Sequence, residues 1–409
     1  MDTTRDRKKG GSKEELKIET QISTIQHRKQ MEIPILQTML LIICVLTYTS
    51  TIIDIPIEVC FTVFSGCIIY IGSIKSLDQY SLKRDEESTQ KSILSGLLST
   101  TQMVWLFPMI SSIFLMLAYA TISMSIQRTF LMLFIGCTGT INLASTMRYL
   151  VIKFGAGSLD RPAAFLENIK IGRMEFRQTY LSLLCICVSG YITFLYFASG
   201  YVSSGGKSYH TTKNWILNNT LAMSFSVYFL DKLLVTNYKN AVIYLLGMML
   251  YDIFWVFGSD VMVTVASQFD YPIRLLIPQA PGSVQMKFSI LGIGDIALPG
   301  IYCAMMFRYD FMRHITASKE SFTISNFESV KESLSFHKPY FTASVVGYML
   351  GLLTTTTIYR LYSSAQPALL YINPFMLITT LLASIYWGEF KGLFHYDEDK
   401  YIEERQSKR

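Results

Sequence analysis

The sequence predicts an all-α membrane protein that crosses the bilayer many times, and two observations carry this prediction. Hydrophobic residues make up 51% of the 409-residue chain and charged residues only 16%, whereas about a quarter of a typical soluble protein is charged. The hydrophobic residues also form long runs that are separated by short polar segments. Together these features exclude an ordinary soluble enzyme of two or three domains.

The individual helices are predicted from the length of these runs, because a spanning helix needs about 20 mostly apolar residues. Ten runs meet this requirement: 33–53, 57–74, 99–121, 129–151, 179–200, 214–235, 240–265, 288–307, 340–362 and 366–387. We interpret 33–56 as an extra transmembrane helix or signal anchor, because its apolar run is too long for a cleaved signal peptide. The polar ends are predicted to be exposed tails, with 1–32 basic and disordered and 388–409 cytosolic.

The positive charges of the loops predict the orientation. If the chain starts in the cytosol and alternates through ten helices, the cytosolic segments hold 28 of the 36 Lys and Arg residues. Such a bias is typical of loops on the cytosolic side, so both termini are predicted there. Topology therefore explains the net charge of +6, and no nucleic-acid partner is expected. All seven cysteines lie in apolar runs, so neither a disulfide framework nor a metal site is predicted.

Two acidic residues, Asp252 and Asp295, lie inside predicted spanning helices. An ionised Asp at the bilayer centre costs about 2.5–3.5 kcal/mol. Asp252 is 12 residues into the run 240–265 and Asp295 is seven residues into 288–307. On antiparallel helices both carboxyl groups then lie roughly 20 Å from the cytosolic face. A carboxyl pair that shares one proton is the arrangement of an aspartic protease; the alternative is that each Asp is a buried polar tie between helices.

The neighbours of these residues fit a site that a substrate backbone could approach. Gly292 and Gly294 remove side chains beside Asp295. Gln366, Pro367, Ala368 and Leu369 begin the last run. A proline in the first turn of a helix is ordinary structure, so this segment predicts no function by itself.

Three motifs in this chain resemble those of the signal peptide peptidase and presenilin proteases. They are Tyr251-Asp252, Gly292-Ile293-Gly294-Asp295 and Pro367-Ala368-Leu369, in the order and spacing of the YD, GxGD and PAL motifs. Further stretches resemble signal peptide peptidase in particular, including Phe107-Pro108 and Trp215-Ile216-x-Asn218-Asn219. The resemblance covers 57–395 and implies a nine-helix core. Helix 33–53 would be an addition to that core, 57–235 its N-terminal helical part and 236–387 its catalytic part.

The resemblance also implies an activity. The chain would be an intramembrane aspartyl protease with Asp252 and Asp295 as catalytic residues. The active site would be shaped by Tyr251, Gly292, Gly294, Gln366, Pro367, Ala368 and Leu369. Expected partners are lipid and transmembrane peptide substrates, namely remnant signal peptides and type II-oriented segments, with a homo-oligomer or a quality-control complex as the assembly. No cofactor or metal is expected, and the endoplasmic reticulum is the expected membrane.

Two other classes of function stay open. A proton-coupled transporter or channel can also use a paired acidic site and broken helices. A non-catalytic scaffold in a membrane quality-control complex is the second alternative. The charge-based orientation separates the branches of the protease family, because it matches signal peptide peptidases and is opposite to that of presenilin.

Overall fold

The computed structural model describes residues 35–86, 100–120, 125–154, 170–171, 174–175, 179–201, 214–259, 261, 272–279, 287–317, 336–362, 364, 366–398 and 400. The helices in these residues are α1 (Ile35–Thr49), α2 (Ile57–Glu86), α3 (Thr100–Ala120), α4 (Ser125–Lys153), α5 (Tyr180–Tyr201), α6 (Trp215–Lys232), α7 (Tyr238–Phe257), α8 (Gly294–Ala317), α9 (Pro339–Tyr362), α10 (Ala368–Tyr386) and α11 (Phe390–Phe394). Two antiparallel hairpins pair β1 (Lys170–Ile171) with β2 (Met174–Glu175) and β3 (Arg274–Gln279) with β4 (Lys287–Gly292).

The prediction of an all-α membrane protein is confirmed, apart from the two small hairpins. Each of the ten predicted runs overlaps one of the helices α1 to α10, although α2 and α8 extend beyond their runs by about three turns. Among the described residues, five helices are long and apolar enough to cross a membrane, and they belong to α2, α5, α7, α9 and α10. The predicted tail 1–32 lies outside the described residues.

The main correction concerns the helix predicted at 288–307, because the first part of that segment is not helical. Residues Lys287–Gly292 form β4, which pairs with β3 so that Gly292 lies opposite Arg274. Helix α8 begins only at Gly294, and Asp295 therefore lies in its first turn. The prediction that Asp295 lies seven residues into its helix was therefore wrong, since a short apolar run can form a strand as easily as a helix.

Helix α8 is the centre of the bundle. Most of its side chains between Ile296 and Met312 are buried, and it packs against α2, α6, α7, α9 and α10. The outer helices instead expose large apolar side chains, such as Ile113 (67% exposed), Phe194 (66%) and Leu250 (62%). Exposed apolar surface of this extent is rare on soluble proteins, which agrees with outer helices that face lipid.

Helices α9 and α10 form a close antiparallel pair. Gly347 and Gly351 lie one helical turn apart on α9, and a Cβ atom on Gly351 would be 2.4 Å from the Cα atom of Ile372 on α10. Glycines at this spacing allow two helix backbones to touch. The contact fixes the position of the first turns of α10, which carry Pro367, Ala368 and Leu369.

The predicted exposed tail after residue 387 is also corrected. Leu393, Tyr396 and Glu398 are buried to 1%, 3% and 0% exposure. The backbone of this segment pairs with the connection between α6 and α7, where Asn237 and Asp397 form a β-bridge. We refer to the end of the bundle with β3, β4 and the start of α8 as the hairpin end, and to the end with Asn237 and Asp397 as the opposite end.

Candidate active site

The hairpin of β3 and β4 is anchored by two asparagine side chains from α6. The side chain of Asn219 forms two hydrogen bonds with Leu276, because its amide donates to the carbonyl oxygen (2.7 Å) and its oxygen accepts from the N–H group (2.8 Å). The Asn218 amide donates to the carbonyl oxygen of Arg274 at 2.7 Å. These amides occupy the outer edge of β3 as a neighbouring strand would, and so they fix the hairpin to the bundle.

The two edges of this hairpin differ. The N–H group of Ile293 donates to the carbonyl oxygen of Ile273, and bonded and non-bonded pairs alternate along an antiparallel ladder. Leu276 and Ile290 are therefore a non-hydrogen-bonded pair whose backbone groups point outward. Asn219 covers those of Leu276, whereas the described sheet has no third strand beside β4. Among the residues that the structure describes, no other segment forms a backbone hydrogen bond with Ile290, so this edge of β4 is open there to a further strand.

Asp295 lies directly after this strand. Gly292 ends β4, Gly294 starts α8, and Asp295 is the second residue of the helix. A Cβ atom on Gly292 would be 3.3 Å from Oδ2 of Asp295, so a side chain there would crowd the carboxyl group. The absence of a side chain at Gly292 thus keeps the space beside Asp295 open.

Asp252 lies near the end of α7 and is only 4% exposed. Its Oδ2 atom accepts a hydrogen bond of 2.9 Å from the N–H group of Leu369, in the first turn of α10. The first N–H groups of a helix have no partner within the helix, and here one of them is satisfied by the carboxyl group. The PAL segment is therefore in direct contact with Asp252.

The structure brings the two aspartates together at the hairpin end. Asp252 and Asp295 interact electrostatically across the contact between α7 and α8. Helix α10 is also hydrogen-bonded to both of these helices, at positions further from the hairpin end. The Asn373 amide donates to the carbonyl oxygen of Leu245 on α7 at 2.7 Å, and the hydroxyl groups of Tyr302 on α8 and Thr380 on α10 are 2.7 Å apart.

The remaining predicted site residues are placed less directly. Tyr251 is partly buried, and its ring centroid is 6.4 Å from that of Trp255, which is a packing contact. Pro367 is the N-cap of α10 with an extended backbone, and Ala368 is buried. The amide of Gln366 donates to Ser364, and its oxygen accepts from Tyr371, so Gln366 fixes the chain that enters α10 without contacting either aspartate.

For four residues of this arrangement the sequence alone predicts no function. Asn218 and Asn219 enter only as part of the resemblance, and no motif includes Asn373 or Tyr302. Each is almost fully buried, and buried polar side chains inside apolar runs need partners. The need of a buried amide for hydrogen-bond partners is the feature by which the asparagines could have been singled out from the sequence.

Comparisons with known proteins agree with the motifs. The sequence model of the signal peptide peptidase family matches residues 88–400. The chain is 37% identical to intramembrane protease 2 of Caenorhabditis elegans over 201 aligned residues, and the alignment covers 48% of this chain and 41% of that protein. It is 36% identical to the signal peptide peptidase of Homo sapiens over 202 aligned residues, and this alignment covers 49% of this chain and 48% of that protein. The chain thus spans about half the length of the curated relatives it matches.

Proposed function

Because the chain belongs to the signal peptide peptidase family, we propose that it is an intramembrane aspartyl endopeptidase with Asp252 and Asp295 as its catalytic residues. The observation that carries this proposal is that the two carboxyl groups, from separate helices, interact electrostatically and that one of them, Asp252, accepts a hydrogen bond from the PAL segment. The family match over 88–400 confirms the resemblance that the three motifs predict.

In the proposed reaction one carboxylate accepts a proton from a water molecule as the water oxygen attacks the carbonyl carbon of the scissile peptide bond. The other carboxyl group is protonated and donates to the carbonyl oxygen. The tetrahedral intermediate then breaks its C–N bond, and the amine leaves with a proton from the pair. This division of work suits two close carboxyl groups, since such a pair holds a single proton.

The substrate has to unwind before it can be cut, because a helical carbonyl group is already hydrogen-bonded and shielded. We propose that the unwound segment adds to the open edge of β4 as a third strand. The edge ends at Gly292, three residues before Asp295, so a strand bound there would pass the carboxyl groups. Backbone that is irregular at membrane depth needs such protein partners. A substrate-bound structure in which the scissile segment remained helical would contradict this step.

The finer expectations extend this proposal. The substrates are remnant signal peptides and other type II-oriented segments, and the membrane is that of the endoplasmic reticulum. The charge distribution supports a cytosolic position for the opposite end of the bundle and, if the added helix 33–53 is retained, for both termini. In this proposal residues 33–56 are an added transmembrane helix or signal anchor, and 57–235 and 236–387 are the N-terminal and catalytic parts. Assembly into a homo-oligomer or quality-control complex stays a prediction.

The test is cleavage of a synthetic transmembrane signal-peptide substrate by the purified protein in detergent or liposomes. Asp252→Asn and Asp295→Asn each keep the shape of the side chain and are expected to abolish detectable cleavage. Asp54→Asn, which changes an exposed acid between α1 and α2, is the matched control and should cleave like the parent.

Two outcomes would contradict the protease assignment. One is cleavage by both Asn variants at the parental rate. The other is a parent protein that never cleaves but acidifies liposomes in an Asp-dependent manner, which would favour the paired proton site of a transporter. Inhibition by a hydroxyl-bearing transition-state mimic would support the protease, since such mimics bind far more tightly than substrates.

A further inference from the structure

The opposite end of the bundle holds a fully buried ion pair that the proposed reaction does not use. Arg308 on α8 is 1% exposed and Glu398 is 0% exposed. Nε of Arg308 donates to Oε1 of Glu398 at 2.9 Å, and Oε1 also accepts from the hydroxyl group of Tyr396 at 3.1 Å. A buried charge pair of this kind needs a reason, because removing charges from water is costly.

The guanidinium group of Arg308 joins further parts of the chain. Nη2 donates to the carbonyl oxygen of Val235, between α6 and α7, at 2.9 Å. Nη1 donates to the hydroxyl oxygen of Ser76 on α2 at 3.2 Å. A planar guanidinium can aim several hydrogen bonds in fixed directions at once, which a lysine cannot do. Arg308 therefore fixes direction and distance as well as charge.

The residues next to Glu398 bind the start of α7 through their backbone. The N–H group of Tyr238, the first residue of α7, donates to the carbonyl oxygen of Tyr396 at 3.3 Å, and the N–H group of Glu398 donates to that of Thr236 at 2.9 Å. The Asn237 amide donates to the Asp397 carboxylate at 3.1 Å. We call residues 396–398 the clasp, because they bind the start of α7 and, through Glu398, helix α8.

The clasp acts on the same two helices that carry the aspartates. Tyr238 is 14 residues before Asp252, and Arg308 is 13 residues after Asp295, so both contacts lie roughly 20 Å along the helix axes from the carboxyl groups. At that distance a tilt of about 3° between the helices moves one carboxyl group by about 1 Å, and a displacement of that size can cost about a hundredfold in rate.

We propose that Arg308 and Glu398 are positioning residues, and that the clasp holds α7 and α8 at the spacing at which Asp252 and Asp295 can work together. An apolar pair would serve stability equally well, whereas the directed bonds of Arg308 to three separate segments define a position. The catalytic part of this inference rests on the proposed protease function, but the positional part does not.

The positional part is tested by cross-linking in the full chain. Asp252→Cys and Asp295→Cys are combined, and disulfide formation is measured with a membrane-permeant oxidant and with a short bis-thiol reagent. Single-cysteine chains control for the native cysteines. Because disulfides form only within a narrow range of Cβ distances, we expect the yield to fall by about threefold or more when Arg308→Met and Glu398→Met are added together.

The double methionine change leaves no unpaired buried charge, so the protein is expected to fold, and size-exclusion chromatography and thermal unfolding check this. Tyr396→Phe is a milder second variant that removes one hydrogen bond of Glu398. The control is Arg313→Met with Glu389→Met, which removes a partly exposed ion pair of 2.7 Å between α8 and the N-cap of α11. Among the described contacts of these two residues, none is with the start of α7. The control should cross-link like the parent.

In chains that keep both aspartates, we expect the clasp variant to lower kcat by about ten- to a hundredfold and to leave KM nearly unchanged, since the edge of β4 is at the other end of the bundle. Unchanged cross-linking in a folded clasp variant would overturn the inference, as would a failure of the parental cysteine pair to cross-link at all. A loss of cross-linking in a protein that never cleaves peptides would instead support the clasp and refute the proposed protease.

Discussion

Replacement of Asn219 offers the sharpest test of how the hairpin supports the site. Its side chain makes both hydrogen bonds to Leu276, and Leu276 is 1% exposed. Asn219→Ala leaves a buried N–H group and a buried carbonyl group without partners. At about 1–3 kcal/mol for each unsatisfied group, the docked hairpin loses roughly 2–6 kcal/mol.

This loss of free energy lowers the population of molecules in which the hairpin is docked. Since about 1.4 kcal/mol corresponds to a factor of ten, the ratio of docked to undocked hairpin is expected to fall at least about thirtyfold. Because Asp295 follows the hairpin directly, kcat should fall and KM should rise for a substrate that binds along β4. The helical bundle should remain folded, since the two bonds lost to Leu276 belong to the contact between α6 and β3 and the third joins Asn219 to its neighbour Asn218 on the same helix.

Hydrogen exchange followed by mass spectrometry measures the effect where it arises. Peptides that contain β3 and β4 should exchange faster in Asn219→Ala, whereas peptides from α9 and α10 should exchange as in the parent. Thr220→Ala is the matched control, because that hydroxyl group bonds to Ile216 within its own helix at 2.8 Å. Unchanged exchange in β4, or parental kcat and KM in Asn219→Ala, would refute the argument.

Two further predictions concern the packing of the bundle. Gly351→Ala would place a methyl group 2.4 Å from the Cα atom of Ile372, so we expect a loss of about 1–3 kcal/mol in stability from overpacking and reduced cleavage. Gly190→Ala, where the nearest atom is 3.8 Å away, should match the parent in thermal unfolding. Asp231→Ala leaves the buried ammonium group of Lys75, 3.6 Å away, without its carboxylate partner and with only the Ser145 hydroxyl group as a hydrogen-bond acceptor, and should cost about 3–5 kcal/mol. Adding Lys75→Met should recover most of that stability, and a double variant as unstable as the single one would contradict this account.

The helices were predictable because their signal is local. A run of about 20 apolar residues has few alternatives to a spanning helix, so the segments around Asp252 and after Gly294 could be predicted without any knowledge of packing. The aspartates could also be singled out, since a carboxyl group inside such a run is costly. Their pairing with the PAL segment came from the family resemblance.

The hairpin could not be predicted because its signals are weak and conflict. The segment Arg274–Gln279 lies between two predicted helices, and a proline within it, Pro278, argues against a strand. The structure places Pro278 opposite Phe288, at a position whose backbone groups point away from the partner strand, so no ladder hydrogen bond is lost. The strand β4 was hidden for another reason, since a short apolar stretch that precedes a helix looks like part of it.

The burial of Glu398 was unpredictable for a third reason. Its partner Arg308 is 90 residues away in the chain, and a polar segment after the last apolar run normally indicates an exposed tail. Only tertiary packing identifies the ion pair.

The corrected position of Asp295 changes the physical account of how the membrane domain tolerates two acidic groups. Asp295 lies in the first turn of α8, and Asp252 accepts the N–H group of Leu369 in the first turn of α10. The N-terminal end of a helix carries a partial positive charge and unpaired N–H groups. The Asp295 carboxyl group therefore lies at a helix end that favours negative charge. The Asp252 carboxyl group meets such an end at the start of α10, although the residue itself lies within α7. A continuous α8 from residue 288 would place Asp295 two turns inside its helix and would remove this stabilisation, so the strand before Gly294 lets Asp295 lie where its negative charge is favoured.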